Sequence, residues 1–273
     1  MIHIETLLSG LSIFDLYDQR CLLSDMGRKG RVFRCDDRSS NETVVIKMLF
    51  KSRHVDYEVK RRDVLIALLN IPIHDHLLQY KTIYEDESCY YIISEDLKGR
   101  ELFEFVSNER VISEEIAIEI TRSLLSALKH LHVNKLIHRD VKLENAVWSH
   151  EKGPLKLIDL DTCGFIGDHQ PDNVPDKLHV GTDGYTAPEC IGGGGSQAGD
   201  LFAVGVIVFA IMTKQMPFKL GMNAHSMLET AIDWYPHAWA GHPLALDLCQ
   251  RLMSFKLEER LQTAQEALEH IKT

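Results

Sequence analysis

The sequence predicts an α+β fold of two lobes, and three observations predict it. Short β-rich runs crowd residues 12 to about 95 around a single helical segment. Helical periodicity takes over beyond them. The length, 273 residues, is more than one hydrophobic core usually fills. The expected division is 1–95, a small β-rich lobe with one main helix, and 96–273, a larger helical lobe.

The elements follow in order. Val32-Phe33-Arg34-Cys35 and Thr43-Val44-Val45-Ile46-Lys47 are β-rich runs. The turn-prone stretch Asp36 to Asn41 between them makes a hairpin. Residues 54–70 carry charges and then apolar residues at helical spacing, with Leu65, Leu68 and Leu69 on one side. Tyr90-Tyr91-Ile92-Ile93 reads as another strand. Periodicity lapses from Ser94 to Gly99, where the lobe boundary belongs. Ser113-Glu114-Glu115 is a helix-capping signal ahead of Ile116, Ile120, Leu124, Leu128 and Leu131. Gly192 to Gly195 is too permissive for helix or strand and reads as a surface loop.

Composition excludes several function classes. A hydrophobic fraction of 45% and a charged fraction of 26% suit a soluble globular protein. Net charge −10 argues against nucleic-acid or anionic-membrane binding and favours basic partners. Six scattered cysteines without a CxxC pair read as reduced thiols in a cytoplasmic setting. The N-terminus lacks a basic region followed by a long apolar core, so no secretory signal is evident. The apolar run Leu201 to Met212 is shorter than the roughly 20 residues a membrane span needs. It is therefore expected as a buried helix. His130 and His132 point to different helix faces and make a poor metal pair. His74-Asp75-His76 reads as a capped loop rather than a ligand cluster.

The chemistry concentrates in His138-Arg139-Asp140-Val141-Lys142-Leu143-Glu144-Asn145. An acid, a lysine two residues on and an amide five residues on can manage a phosphoryl transfer. Asp140 can accept the proton of an attacking hydroxyl, Lys142 can neutralise the transferred group, and Asn145 can hold a divalent metal. Val44-Val45-Ile46-Lys47 lies upstream of this loop. Leu157-Ile158-Asp159-Leu160-Asp161 and Ala187-Pro188-Glu189 lie downstream. In this order and at these separations the motifs resemble eukaryotic-type protein kinases, over roughly residues 15–272. Lys142, in place of the Ala-Arg version, resembles the Ser/Thr-directed type, and the flavour is that of the calcium/calmodulin-dependent group.

The resemblance implies ATP and Mg²⁺ as cofactors and a protein Ser/Thr hydroxyl as acceptor. Leu22 to Val32 occupies the place of the glycine-rich loop, with Leu23 and Val32 at its flanks. Gly27 and Gly30 match the second and third family glycines, while Asp25 replaces the first. Lys47 is expected on the α- and β-phosphates, held by a carboxylate of the following helix. Spacing favours Asp63 for that role and reach favours Glu58; Asp63 is the choice made on spacing. Ser94 falls at the gatekeeper position, and Glu95 to Leu97 at the hinge whose backbone pairs with adenine. Glu101 matches an acidic position near the ribose. Glu144 matches one that in basophilic relatives reads an upstream arginine, so substrates with basic residues before the phosphosite are expected.

At the other end of the site, Asp159 corresponds to the metal-binding aspartate of Asp-Phe-Gly, a motif that here reads Asp159-Leu160-Asp161. Asp161 replaces a glycine whose freedom permits positive φ. Thr182 resembles the residue that bridges Asp140 and Lys142. Glu189 is expected to pair with Arg260, and Asp200 to tie back to the catalytic loop. Arg139 marks the type whose activation segment must compensate an arginine beside the base. Yet no Ser, Thr or Tyr stands between Cys163 and Gly181, so Asp168, Asp172 or Asp176 is expected to supply a permanent carboxylate. The resulting expectation is a monomeric Ser/Thr protein kinase without a membrane span. Its alternative is a pseudokinase serving as a nucleotide-binding scaffold.

Overall fold

The structure is a computed structural model, and it describes residues 2–27, 29–149, 153–168, 181–192 and 194–272. The chain divides into two compact units. One comprises Met1–His74 and Leu78–Lys98; the other comprises Asp75–Leu77 and Gly99–Thr273. The fold is α+β, as the sequence predicts.

The first unit is a six-stranded sheet. Its strands are β1 (Glu5–Thr6), β2 (Tyr17–Asp25), β3 (Gly30–Asp37), β4 (Thr43–Phe50), β5 (Tyr80–Glu85) and β6 (Cys89–Glu95), in the order β1-β5-β6-β4-β3-β2. All neighbours run antiparallel except β1 on β5. Side chains alternate across a strand, and one face of this sheet packs Phe33, Cys35, Val44, Ile46, Tyr91 and Ile93 against Ile13 and Tyr17. Ile13 belongs to α1 (Ile13–Leu16), a single turn closed by a capping box between Ser12 and Asp15. The segment ahead of β2 thus covers the sheet's apolar face.

Helix α2 (Val55–Asn70) buries Val64, Leu65, Leu68 and Leu69, and Asp56 and Glu58 in its first turn complement the helix dipole. It is fastened to the sheet by charge. Arg62 grips Glu85 Oε1 at 2.9 and 3.2 Å, and Lys51 reaches Glu85 Oε2 at 2.9 Å. Burial pushes the Glu85 carboxyl up, but these two cations outweigh it and leave the group below its ordinary value.

The second unit is mostly helical: α3 (Leu102–Asn108), α4 (Glu114–Val133), α5 (Gln197–Thr213), α6 (Ala224–Leu228), α7 (Pro243–Leu252) and α8 (Ala264–His270). Helix α4 starts where the capping signal places it, with the Ser113 hydroxyl accepting the Ile116 N–H. Ile120, Leu124, Leu128 and Leu131 all face its core side. Helix α5 contains the Leu201–Met212 run and is buried nearly all round. Among the described residues no helix is long and apolar enough to cross a membrane.

Small strands position the loops of this unit. β7 (Arg100–Glu101), β9 (Ala146–Ser149) and β10 (Gly153–Leu157) form one sheet. β8 (Leu136–Ile137) pairs with β11 (Gly164–Phe165). His76 and Leu77 join β10: Leu157 N donates to His76 O, and His76 Nδ1 meets Leu155 O at 2.9 Å. That is the capped-loop reading of the 74–76 stretch. Of the glycine run, Gly192 and Gly194 are exposed, while Gly195 packs so close under Arg139 and Ile137 that a Cβ would lie 2.8 Å from each.

Candidate active site

Register in the first unit determines which side chains share a face. Val32 lies opposite Lys47, and Lys47 opposite Ile92; one row along, Arg34 lies opposite Val45, and Val45 opposite Ser94. Cross-strand partners project to the same side. Val32, Arg34, Lys47 and Ser94 therefore share the face opposite the Phe33–Ile46 core. Ser94 is 5% exposed, with its hydroxyl 3.4 Å from Val45 O.

The β2–β3 turn carries the two glycines in different roles. Gly27 adopts φ +60° with open space around its α-carbon. Gly30 lies against β4, where a Cβ would fall 1.9 Å from Met48 O, so only glycine fits. Asp25 Oδ1 accepts the Gly27 N–H at 2.9 Å. Leu23 sits at the irregularity between Leu22 and Ser24 and is 44% exposed. At the far end of β6, Glu95 exchanges hydrogen bonds with Gln79, and Leu97 follows outside the strand.

Helix geometry puts the two candidate carboxylates of α2 on different sides. Asp63 is exposed and has Arg62 as its neighbouring charge. At 3.6 residues per turn, Asp63 points away from the Leu65 stripe, whereas Glu58, seven residues before Leu65, shares it. Glu58 is half-buried, accepts the Ser52 N–H at 2.7 Å and meets Arg61 at 3.4 Å; its second oxygen is buried without a hydrogen-bond partner.

In the second unit the catalytic-loop residues converge. The Thr182 hydroxyl donates to Asp140 Oδ1 at 2.7 Å and accepts from Lys142 Nζ at 2.8 Å. Lys142 Nζ also reaches Asp140 Oδ2 at 3.0 Å. Asn145 Nδ2 donates to Asp140 O and Oδ2 at 2.8 and 3.1 Å, which turns its amide oxygen away from Asp140. Ile158 N donates to Asn145 O, tying Asn145 to the residue before Asp159. An amide oxygen and a carboxylate oxygen are the kind of hard donor that Mg²⁺ takes.

The loop is held from beneath. Asp200, 3% exposed, accepts the backbone N–H of both His138 and Arg139 at 2.9 Å and binds His132 Nε2 at 2.9 Å. Burial would raise its carboxyl, but the hydrogen bonds from His132 and from the His138 backbone N–H hold it below the ordinary value. His138 is fully buried, which lowers its imidazole pKa. Its Nε2 faces Ile158 O at 3.0 Å and its Nδ1 faces Asp140 N at 3.3 Å. A carbonyl only accepts and an amide only donates, so the ring is neutral with its proton on Nε2.

Two sequence expectations change here. Positive φ falls on Asp159 (φ 63°, ψ 57°) and on Arg139 (φ 68°), not on Asp161. Asp161 lies in a 3₁₀ turn, Leu160–Thr162, that any residue can adopt, so replacing glycine there strains nothing. Arg139 in turn is engaged by carbonyls: Nε donates to Thr162 O at 2.6 Å and Nη2 to Cys163 O at 2.8 Å. Gly164 makes room, since a Cβ there would lie 2.8 Å from the guanidinium carbon. Asp168 follows in the next turn; Asp172 and Asp176 lie outside the described residues.

Glu101 is the N-cap residue of α3 but makes no capping hydrogen bond. Partial burial, with Glu104 and Glu144 nearby, raises its carboxyl above the ordinary value. Elsewhere Arg260, buried, pairs with Glu189 as expected; their second contact is 3.2 Å. Sequence reasoning missed His132, Thr162 and Arg34. A helical histidine six residues before His138 was the available signal for the first. Nothing local announced the other two.

Comparison with known proteins gives the class. The sequence pattern of the protein kinase domain family matches residues 26–271, and the chain belongs to that family. It is 31% identical over 217 residues to serine/threonine-protein kinase PSK1 of Saccharomyces cerevisiae, covering 74% of this chain and 15% of that protein. It is 34% identical over 193 residues to probable serine/threonine-protein kinase 2 of Plasmodium falciparum, covering 68% and 35%. It is 27% identical over 253 residues to calcium-dependent protein kinase 32 of Arabidopsis thaliana, covering 89% and 46%. The chain thus spans less than half the length of these relatives. A crystal structure of Rad53 1-466 in complex with AMP-PNP shares the fold, with a TM-score of 0.76 at 24% identity, covering 94% of this chain and 65% of that one.

Proposed function

We propose that the chain is an active Ser/Thr protein kinase that transfers the ATP γ-phosphoryl group to protein hydroxyls. The observation that carries this reading is the closed set Asp140, Lys142, Asn145 and Thr182, with every distance between 2.7 and 3.1 Å. Asp140 would orient the acceptor hydroxyl and take its proton, and Lys142 would neutralise the transferred group. Asn145 and Asp159 would hold Mg²⁺, which screens phosphate charge when bound. Lys47, Val32 and the backbone of Glu95–Leu97 would receive the nucleotide, with Gly27 and Gly30 at its phosphates. Such catalysis works by positioning and charge rather than covalent chemistry.

Three neighbouring carboxylates, Glu101, Glu104 and Glu144, support a preference for basic residues upstream of the phosphosite. Six free cysteines, five of them buried, accord with a reducing cytoplasmic setting, and the chain is taken to act as a monomer. The alternative, a noncatalytic nucleotide-binding scaffold, draws on Asp25 engaging the Gly27 amide and on the exposed Asp63. It predicts binding without turnover. Lys47→Met and Asp159→Asn decide between them: each should abolish phosphoryl transfer under matched Mg²⁺ and ATP while leaving the fold intact. Retention of more than about a tenth of wild-type turnover by either variant would remove that residue from the mechanism.

A further inference from the structure

The segment that would receive adenine is anchored through one buried carboxylate. The Asp96 side chain is only 3% exposed and sits between two cations. Arg34 Nη2 and Nε approach its Oδ1 at 3.1 and 3.2 Å, and Lys98 binds its Oδ2. Arg34 is on β3, 62 residues away in sequence, on the sheet face that also presents Val32, Lys47 and Ser94. On the other side of Asp96, Glu95 is fixed to Gln79 by a backbone N–H to carbonyl contact and by its own carboxylate, 3.0 Å from Gln79 N. The next residue, Leu97, has neither its N–H nor its C=O hydrogen-bonded among the described residues. A buried carboxylate persists only while it is paired. Lys98, 69% exposed, cannot desolvate with it. Without Arg34, Asp96 would turn toward water and rotate the Leu97 backbone with it.

We propose that Arg34 is a positioning residue for the nucleotide: through Asp96 it presets the Leu97 N–H and C=O toward the adenine edge. This rests on the nucleotide reading above. Arg34 does not touch the reacting atoms, so its loss should appear in nucleotide affinity and KM rather than in kcat.

The test compares wild type with Arg34→Met, Arg34→Lys, Asp96→Asn and the Arg34→Met/Asp96→Asn double variant. Binding of a fluorescent ATP analogue, steady-state kinetics and Tm are measured, together with hydrogen exchange at the Leu97 amide in nucleotide-free protein. Arg34→Met should bind about tenfold more weakly with kcat within about twofold, and Leu97 should exchange faster. Arg34→Lys should recover most of the affinity. The double variant should be no weaker than Asp96→Asn alone, because both changes remove one coupling. Unchanged affinity and exchange in Arg34→Met, even with a lowered Tm, would overturn the proposal and leave a purely structural pair. Additive losses in the double variant would also overturn it, since Arg34 would then act without Asp96. Absence of nucleotide binding by wild type would instead sink the function reading itself, and this inference with it.

Discussion

The Thr182 hydroxyl donates to Asp140 Oδ1 at 2.7 Å across 42 residues of sequence, and the same oxygen accepts from Lys142. One hydroxyl therefore aims both the base and the cation. A hydrogen bond to a charged group contributes about 1.5–3 kcal/mol. Thr182→Val should lower kcat by about tenfold or more, while Thr182→Ser, which keeps the hydroxyl, should retain most activity. Steady-state kinetics on the two variants check this; full activity in Thr182→Val, or a loss in Thr182→Ser as large as in Thr182→Val, would show that the hydroxyl contacts alone do not carry the effect.

Asp25 competes with phosphate for the Gly27 amide. Its carboxylate caps that N–H and lies 3.5 Å from Arg31 on an exposed turn. Asp25→Gly should tighten ATP binding at least about threefold at low ionic strength, with the gain shrinking as salt screens the carboxylate. Calorimetric titration at two salt concentrations reads both effects. A weaker affinity in Asp25→Gly would mean that the Asx-type cap orders the loop for its ligand.

Much of this site was legible in local pattern, and the rest was not for a common reason. Asp140, Lys142 and Asn145 lie within six residues, and the hairpin, α4 and α5 each carry their own periodicity or caps. Asp200 and Thr182 could be placed by motif, but His132 on Asp200 and Arg34 on Asp96 span 68 and 62 residues and leave no periodic trace. Asp63 lies on the exposed side of α2, which counting residues does not reveal because it ignores which side of a helix faces the sheet. Asp161 misled because a glycine's usual presence does not say which residue of the turn takes positive φ.

The buried imidazole of His138 makes stability depend on pH. Its pKa in the folded chain lies below the ordinary 6.5, so between the two values the unfolded chain binds the extra proton. Stability should therefore fall as pH drops below about 6.5, until the folded ring also protonates. Urea unfolding from about pH 7.5 down to about pH 5.5 should give a slope that His138→Phe reduces by up to about one proton. An unchanged slope would contradict the neutral, buried assignment.

Arg139 already has carbonyl partners in Thr162 and Cys163, and no Ser, Thr or Tyr stands between Cys163 and Gly181 to be phosphorylated. The usual ordering of this segment by a phosphate on the arginine therefore has no residue to act on. Bacterially made protein, treated with phosphatase and shown by mass spectrometry to be unphosphorylated, should keep most of its activity. Loss on treatment, restored by preincubation with ATP, would show that phosphate is needed elsewhere.

Asp140 and its partners are proposed to carry out phosphoryl transfer to Ser or Thr. Incorporation of label from γ-radiolabelled ATP into a mixed protein substrate, wild type against Asp140→Asn, tests it most directly. Asparagine preserves the shape and the Thr182 contact but cannot take the hydroxyl proton. Wild type should put label on Ser and Thr, and Asp140→Asn should lose at least about a hundredfold. Equal incorporation by the two proteins, or none by either despite bound nucleotide, would contradict it.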